Sequence, residues 1–121
     1  MPIKSYKELI VWQKSIELVG EIYKITRLLP KSEIFVLISQ MQRAAVAIAS
    51  NIAEGFGRKH PREFAHFLSI AFGSALELET QIIIVKQQHS GLELTRAEGL
   101  LVEVQKMLRA LICKVESATK D

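Results

Sequence analysis

The sequence predicts an all-α protein, an antiparallel up-down-up-down four-helix bundle that occupies residues 1–121 as a single domain. Three observations carry this expectation. Along four stretches, apolar residues return at alternating spacings of four and three, the repeat of one helix face and not of a strand. Pro30, Pro61 and the glycines at 55, 57 and 91 stand between those stretches, where helices end or begin. The stretches are of similar length and their connections are short, which favours sequential antiparallel packing.

The first helix is expected over about 6–28. Ser5 and Glu8 have Ser-x-x-Glu capping-box spacing, and Leu9, Trp12, Ile16, Val19 and Tyr23 form a single stripe, read as the core face. Pro30 blocks continuation. The second is expected over about 33–54, with Ser32 as its N-cap. Ile34, Ile38, Met41, Ala45, Ile48 and Ile52 keep the spacing, and Gly55 suits the left-handed position after the last turn. Ala44, Ala45, Ala47, Ala49 and Ala53 make this helix thin enough for a neighbour to approach closely.

The third helix is expected over about 61–89. Pro61 suits the first helical position, and Phe64, Leu68, Ala71, Ala75, Leu78, Ile82 and Val85 form its stripe. The fourth, about 96–118, opens on a second capping box, Thr95 with Glu98. Ala97, Leu101, Val104, Leu108, Leu111, Val115 and Ala118 complete the pattern.

Apolar residues make up 49% of the chain and mean hydropathy is +0.18. That is more than one bundle core of about three apolar positions in seven requires. Val11, Leu18, Ile22 and Ile25 lie beside the first stripe. Phe67, Ile70, Phe72, Leu76, Ile83 and Ile84 are left over on the third helix, and Leu100, Met107 and Ile112 on the fourth. Apolar surface in such supply marks an interaction face, so homo-oligomerisation is expected.

Composition narrows the function classes. The net charge of +3 is mildly basic and compatible with weak nucleic-acid affinity. The lone Cys113 excludes an internal disulfide; its apolar helical setting suggests a buried structural thiol and fits a reducing cytoplasm. The charged N-terminal stretch lacks the apolar region of a signal peptide, and no uninterrupted apolar run approaches the ~18 residues of a membrane span. A cytoplasmic protein with no membrane contact is the expectation.

Few side chains are arranged for chemistry. Arg43, Asn51 and Glu54 share a polar strip on the second helix, suited to structure or assembly and poor as an acid–base pair. Gly55-Phe56-Gly57-Arg58 follows a helix and lacks the third glycine and the lysine of nucleotide loops. Glu63-x-x-His66 matches half of a di-iron ligand set, which needs a second such motif, and neither His60 nor His89 has a glutamate three residues upstream. No nucleophile–base pair is legible, so no catalytic residues, cofactor or metal are expected. The densest basic cluster is Arg58, Lys59, His60 and Arg62, just before the third helix, where backbone N–H groups also attract anions. Repeated around an oligomer, it would gain avidity for a phosphate backbone.

Leu9–Thr26 (LIVWQKSIELVGEIYKIT), Ser39–Arg58 (SQMQRAAVAIASNIAEGFGR) and Glu63–Gln81 (EFAHFLSIAFGSALELETQ), in that order, resemble the four-helix-bundle proteins encoded in intervening sequences of bacterial 23S ribosomal RNA genes. The most specific blocks are Gln42-Arg43-Ala44-Ala45 and Asn51-Ile52-Ala53-Glu54-Gly55; Arg58, Glu77 and Glu79 match as well. The chain departs from the family at Phe35-Val36-Leu37 and Ser90-Gly91-Leu92, where Phe-Gly-Leu and Gly-Tyr-Leu are frequent. The resemblance implies a ring, typically a homopentamer. It also implies kinship with the accessory protein of diversity-generating retroelements, a basic barrel that associates with a reverse transcriptase and binds nucleic acid. Taken together, the expected function is a non-enzymatic ring-forming bundle that contacts RNA or DNA through a basic rim, with a reverse transcriptase as one implied partner. The other reading is a protein-interaction scaffold with no nucleic-acid role.

Overall fold

The structure, a computed structural model, describes residues 2–119. Its helices are α1 (Ile10–Arg27), α2 (Ser39–Gly57), α3 (Pro61–Gln88) and α4 (Thr95–Ser117), and no strand occurs among the described residues. α2 packs against α1 and α3, and α4 closes the square by packing against α3 and α1. Cross-contacts give the directions. Arg96 reaches Glu21 (3.0 Å) while Lys14 reaches Glu103 (3.7 Å), so α1 and α4 run antiparallel. Lys86–Glu98 (2.8 Å) and Gln105–Glu79 (3.1 Å) do the same for α3 and α4. Thr26 meets Gln42 (3.1 Å) and Trp12 lies near Ala53, so α1 and α2 are antiparallel too.

The third helix forms as its sequence predicts from Pro61, its first residue, and Leu68, Ala71, Ala75, Leu78, Ile82 and Val85 are all buried; Phe64, the first member of the expected stripe, is only half-buried. They meet Leu18 and Ile22 of α1, Met41, Ile48 and Ile52 of α2, and Val104 and Leu108 of α4 in one core. Burying a side chain of this size stabilises the fold by about 1.5–3 kcal/mol. α3 is also long and apolar enough, at mean hydropathy 1.5 over 18 residues, to cross a membrane by composition, although only 33% of that window is buried in the bundle. Its other apolar residues face outward: Ile70, Leu76, Ile83 and Ile84 are exposed.

The first helix presents a different face from the expected one. The buried residues are Val11, Ser15, Leu18, Ile22, Ile25 and Thr26, whereas Ile16 and Tyr23 are exposed and Trp12 and Val19 only half-buried. The two stripes are equally periodic. The polar members of the true one, Ser15 and Thr26, disguise it; each hydroxyl donates to a carbonyl one turn back (Trp12, 2.7 Å; Tyr23, 3.1 Å) and so enters the core without an unpaired donor. The start also differs. Ser5 caps a short 3-10 turn, Tyr6–Glu8, by accepting from the Lys7 N–H (3.1 Å), and extended Leu9 then separates that turn from α1.

The entry to α2 is irregular. A 3-10 turn, Lys31–Glu33, leads into a π-turn, Ile34–Ile38, before α2 proper begins at Ser39. Ser32 therefore lies inside a turn and does not cap a helix. The wider π-turn shifts the helical phase upstream of Ser39. Leu37 becomes the buried residue, while Ile34, placed on the stripe by spacing, is exposed, and Phe35 is 89% exposed.

At its far end α2 runs past the expected stop. Gly55 lies inside the helix, and the left-handed residue of the α2–α3 turn is Lys59 (φ 62°). Gly55 is there for closeness: a Cβ on it would lie 2.6 Å from the Phe67 Cβ and 3.1 Å from Phe64 Cδ1. The Thr95–Glu98 capping box does not form either. Thr95 is the first residue of α4; its N–H is taken by the Glu93 carboxylate (3.0 Å), and Glu98 instead accepts from Lys86. The hydrogen bonds from the Thr95 hydroxyl and N–H hold the Glu93 carboxyl below its ordinary pKa. Cys113, expected to be buried, is exposed, because it lies off the stripe in the last turns of α4, beyond Leu108.

Candidate functional site

Antiparallel packing brings the start of the chain, the α2–α3 turn and the end of α4 to one end of the bundle, and the basic cluster is divided there. Arg58 is turned back onto the protein. Its guanidinium meets Glu54 (3.0 Å) and Glu63 (3.5 Å) and lies 5.0 Å from the centre of the Phe67 ring. Each exposed pair is worth little alone, about 0–1 kcal/mol, but together the contacts brace the turn and leave Arg58 little free charge for an anion. Lys59 and His60 remain exposed, and Lys4 and Lys114 join them around one cleft. Arg62 faces a separate recess with His66 and Glu116.

Sequence reasoning thus found Lys59 and His60 but not Lys4 and Lys114, which lie 55 residues on either side of Lys59 in the chain. No local pattern marks them. Their convergence follows only from topology, since an up-down bundle places both termini beside its second turn.

The polar strip of α2 divides as well. The Asn51 side chain donates to the Ala47 carbonyl of its own helix (2.8 Å), and Glu54 is engaged by Arg58. Arg43, with Gln40 and with Glu77 of α3, lines a polar surface recess of about 490 Å³. Glu79 accepts from Gln105 across the α3–α4 seam. At the opposite end of the molecule, the ring of His89 contacts the Glu33 carboxylate (2.8 Å) and ties the end of α3 to the α1–α2 connection. No group of three metal-ligating side chains occurs among the described residues.

Two apolar faces lie on opposite sides of the square. On the α1–α2 side, Trp12, Ile16, Val19 and Val46 surround a shallow groove of about 290 Å³; Ile16 is 45% and Val46 41% exposed. On the α3–α4 side, Ile83 and Val102 are 50% and 48% exposed and lie close to Leu101. The faces differ in size and polarity. One is an apolar groove over Ala49 and Ala53; the other is a smaller recess of about 150 Å³, where Ile83 and Val102 are bordered by Glu79, Glu98 and Gln105.

By class, this is a small antiparallel four-helix bundle with a lysine-rich end and unlike apolar flanks. The chain belongs to the 23S rRNA-intervening sequence protein family, which it matches over residues 7–111. Among solved structures it is similar to a protein of unknown function from the S23 ribosomal protein family of Bacteroides thetaiotaomicron VPI-5482. The two share 24% identity with a TM-score of 0.74, covering 85% of this chain and 98% of the other, a likeness of fold. No significant match occurs among curated proteins.

Proposed function

We propose that the protein is a non-enzymatic, ring-forming homo-oligomer whose lysine-rich end contacts RNA or DNA. The observation that carries this reading is the pair of unlike apolar faces on opposite sides of one bundle. A self-complementary dimer needs one patch that meets its own copy. Here the two flanks are unlike, one apolar over alanines and one with carboxylates beside its exposed Ile83 and Val102, which favours a head-to-tail contact over a self-complementary one, and such contacts close into rings when the rotation permits. The family resemblance implies five subunits.

In a ring every copy presents the same end in the same direction. Lys4, Lys59, His60 and Lys114 then recur around a rim, with Arg62 near them, and the copies act together on a phosphate backbone. The phenyl rings described at this end, Phe56 and Phe64, are half-buried and stand edge to face, a poor platform for successive bases, which favours contact with the backbone over reading of bases. Titration of labelled RNA and DNA at two salt concentrations tests this: affinity should fall steeply with salt, and absent binding or a flat salt response would remove the nucleic-acid part. In that event the polar recess at Arg43 and Glu77 and the apolar flanks favour a protein scaffold. A reverse transcriptase is the partner that the resemblance suggests, and co-purification that survives nuclease treatment tests it.

A further inference from the structure

Between the start of the chain, the α2–α3 turn and the last turns of α4 lies an open cleft of about 670 Å³. Its floor is carbon: Phe56, Phe64, Leu111 and Val115, with the two phenyl rings edge to face at 5.9 Å between centroids. The charged side chains that line it are all basic, Lys4, Lys59 and Lys114, with His60 beside them and no carboxylate among the described lining residues. A cleft of this size falls within the range of about 300–1,000 Å³ usual for small-ligand sites.

That combination selects a ligand by charge and polarity. A cationic amphiphile would be repelled by the rim. A nucleobase could stack on one phenyl face at most, because Phe56 and Phe64 stand edge to face and the rest of the floor is aliphatic. An apolar body with a single anionic end suits both floor and rim. We propose that the cleft binds a free medium-chain carboxylate, with the chain lying against Phe56, Phe64, Leu111 and Val115 and the carboxylate held by the ammonium groups of the rim. This site shares Lys59 and His60 with the proposed nucleic-acid rim but does not depend on that reading.

The test is a titration of the full chain with dodecanoate below its micellar concentration. It is followed by displacement of anilinonaphthalene sulfonate fluorescence and by backbone amide shifts. The expected result is one saturable site per chain, shifts centred on the cleft residues, and dodecanol weaker by about tenfold. Lys4→Gln combined with Lys114→Gln should weaken dodecanoate about tenfold and leave dodecanol unchanged. Ala118→Trp, which sets an indole at the cleft, should abolish both. Equal affinity for dodecanoate and dodecanol would overturn the proposal. So would shifts scattered over the outer flanks, or full binding by a folded Ala118→Trp variant. If that variant fails to fold, the shift map and the lysine variant still decide. A chain that binds dodecanoate but no RNA sinks only the nucleic-acid reading, and the reverse result sinks only this one.

Discussion

The two seams of α2 use small residues to opposite ends. Toward α3, Gly55 lets the Phe67 and Phe64 side chains come into direct contact with the helix. Toward α1, Ala49 and Ala53 face Trp12, Ile16 and Val19, and an apolar groove stays open between them. One seam is closed from within; the other leaves surface for a second molecule. Small side chains therefore mark close approach, but whether the approaching body is the same chain or another depends on what stands opposite.

The closed seam should be the more fragile. Leu78 is fully shielded in the core, so Leu78→Ala should lower stability by about 2–5 kcal/mol, read as a shift in denaturant midpoint at fixed protein concentration. Gly55→Ala comes next. Alanine is the better helix former by about 1 kcal/mol, but its Cβ would sit 2.6 Å from a Cβ that has no freedom to swing away. A net loss of about 1–3 kcal/mol is expected, as for an overpacked core. A gain in stability would show that the seam has room and would erase the contrast.

At the open seam, Ile16→Asp should change the stability of the isolated subunit by no more than about 0.5 kcal/mol, because Ile16 is 45% exposed. A loss comparable to that of Leu78→Ala would mean the groove is core after all. The smallest effect is expected at the α1–α4 seam. Desolvation raises the pKa of the Glu21 carboxyl, and the hydrogen bonds and charges of Lys24 and Arg96 outweigh it, so the group titrates below its ordinary value. The stability it adds is present above the unfolded-state pKa and is lost as pH falls through the folded one. Glu21→Gln should therefore lower stability slightly at neutral and alkaline pH and leave it unchanged below the folded-state pKa, so that the acid limb is flatter, as measured by unfolding from neutral pH through the acid range.

How much of this was legible in the sequence varies by element. On α3 every member of the stripe is aliphatic or aromatic, Pro61 marks the start, and both seams bury the same face, so spacing alone reads correctly from Leu68 to Val85, while Phe64, near the open end, is only half-buried. On α1 two stripes compete. Hydrophobicity favours Trp12, Ile16 and Tyr23 over a stripe that contains Ser15 and Thr26, and only tertiary packing reveals that those hydroxyls are satisfied inside. The π-turn at Ile34–Ile38 carries no proline or glycine to announce it. In the candidate site, Arg58–Arg62 was visible as a run, but charge counting does not show that Glu54 and Glu63 neutralise Arg58. Lys4 and Lys114 become neighbours only once the chain has folded.

The head-to-tail ring is tested most directly by mixing two broken subunits. One carries Ile16→Asp and Val46→Asp, which spoil the α1–α2 face; the other carries Ile83→Asp and Val102→Asp, which spoil the α3–α4 face. Each should sediment alone as a 13.6 kDa monomer, while the wild type forms a closed assembly of constant mass. Mixed in equal amounts, the two variants should form a one-to-one dimer and nothing larger, because one intact α1–α2 face meets one intact α3–α4 face. A wild-type monomer, or variants that stay monomeric together, would contradict a ring built from these faces.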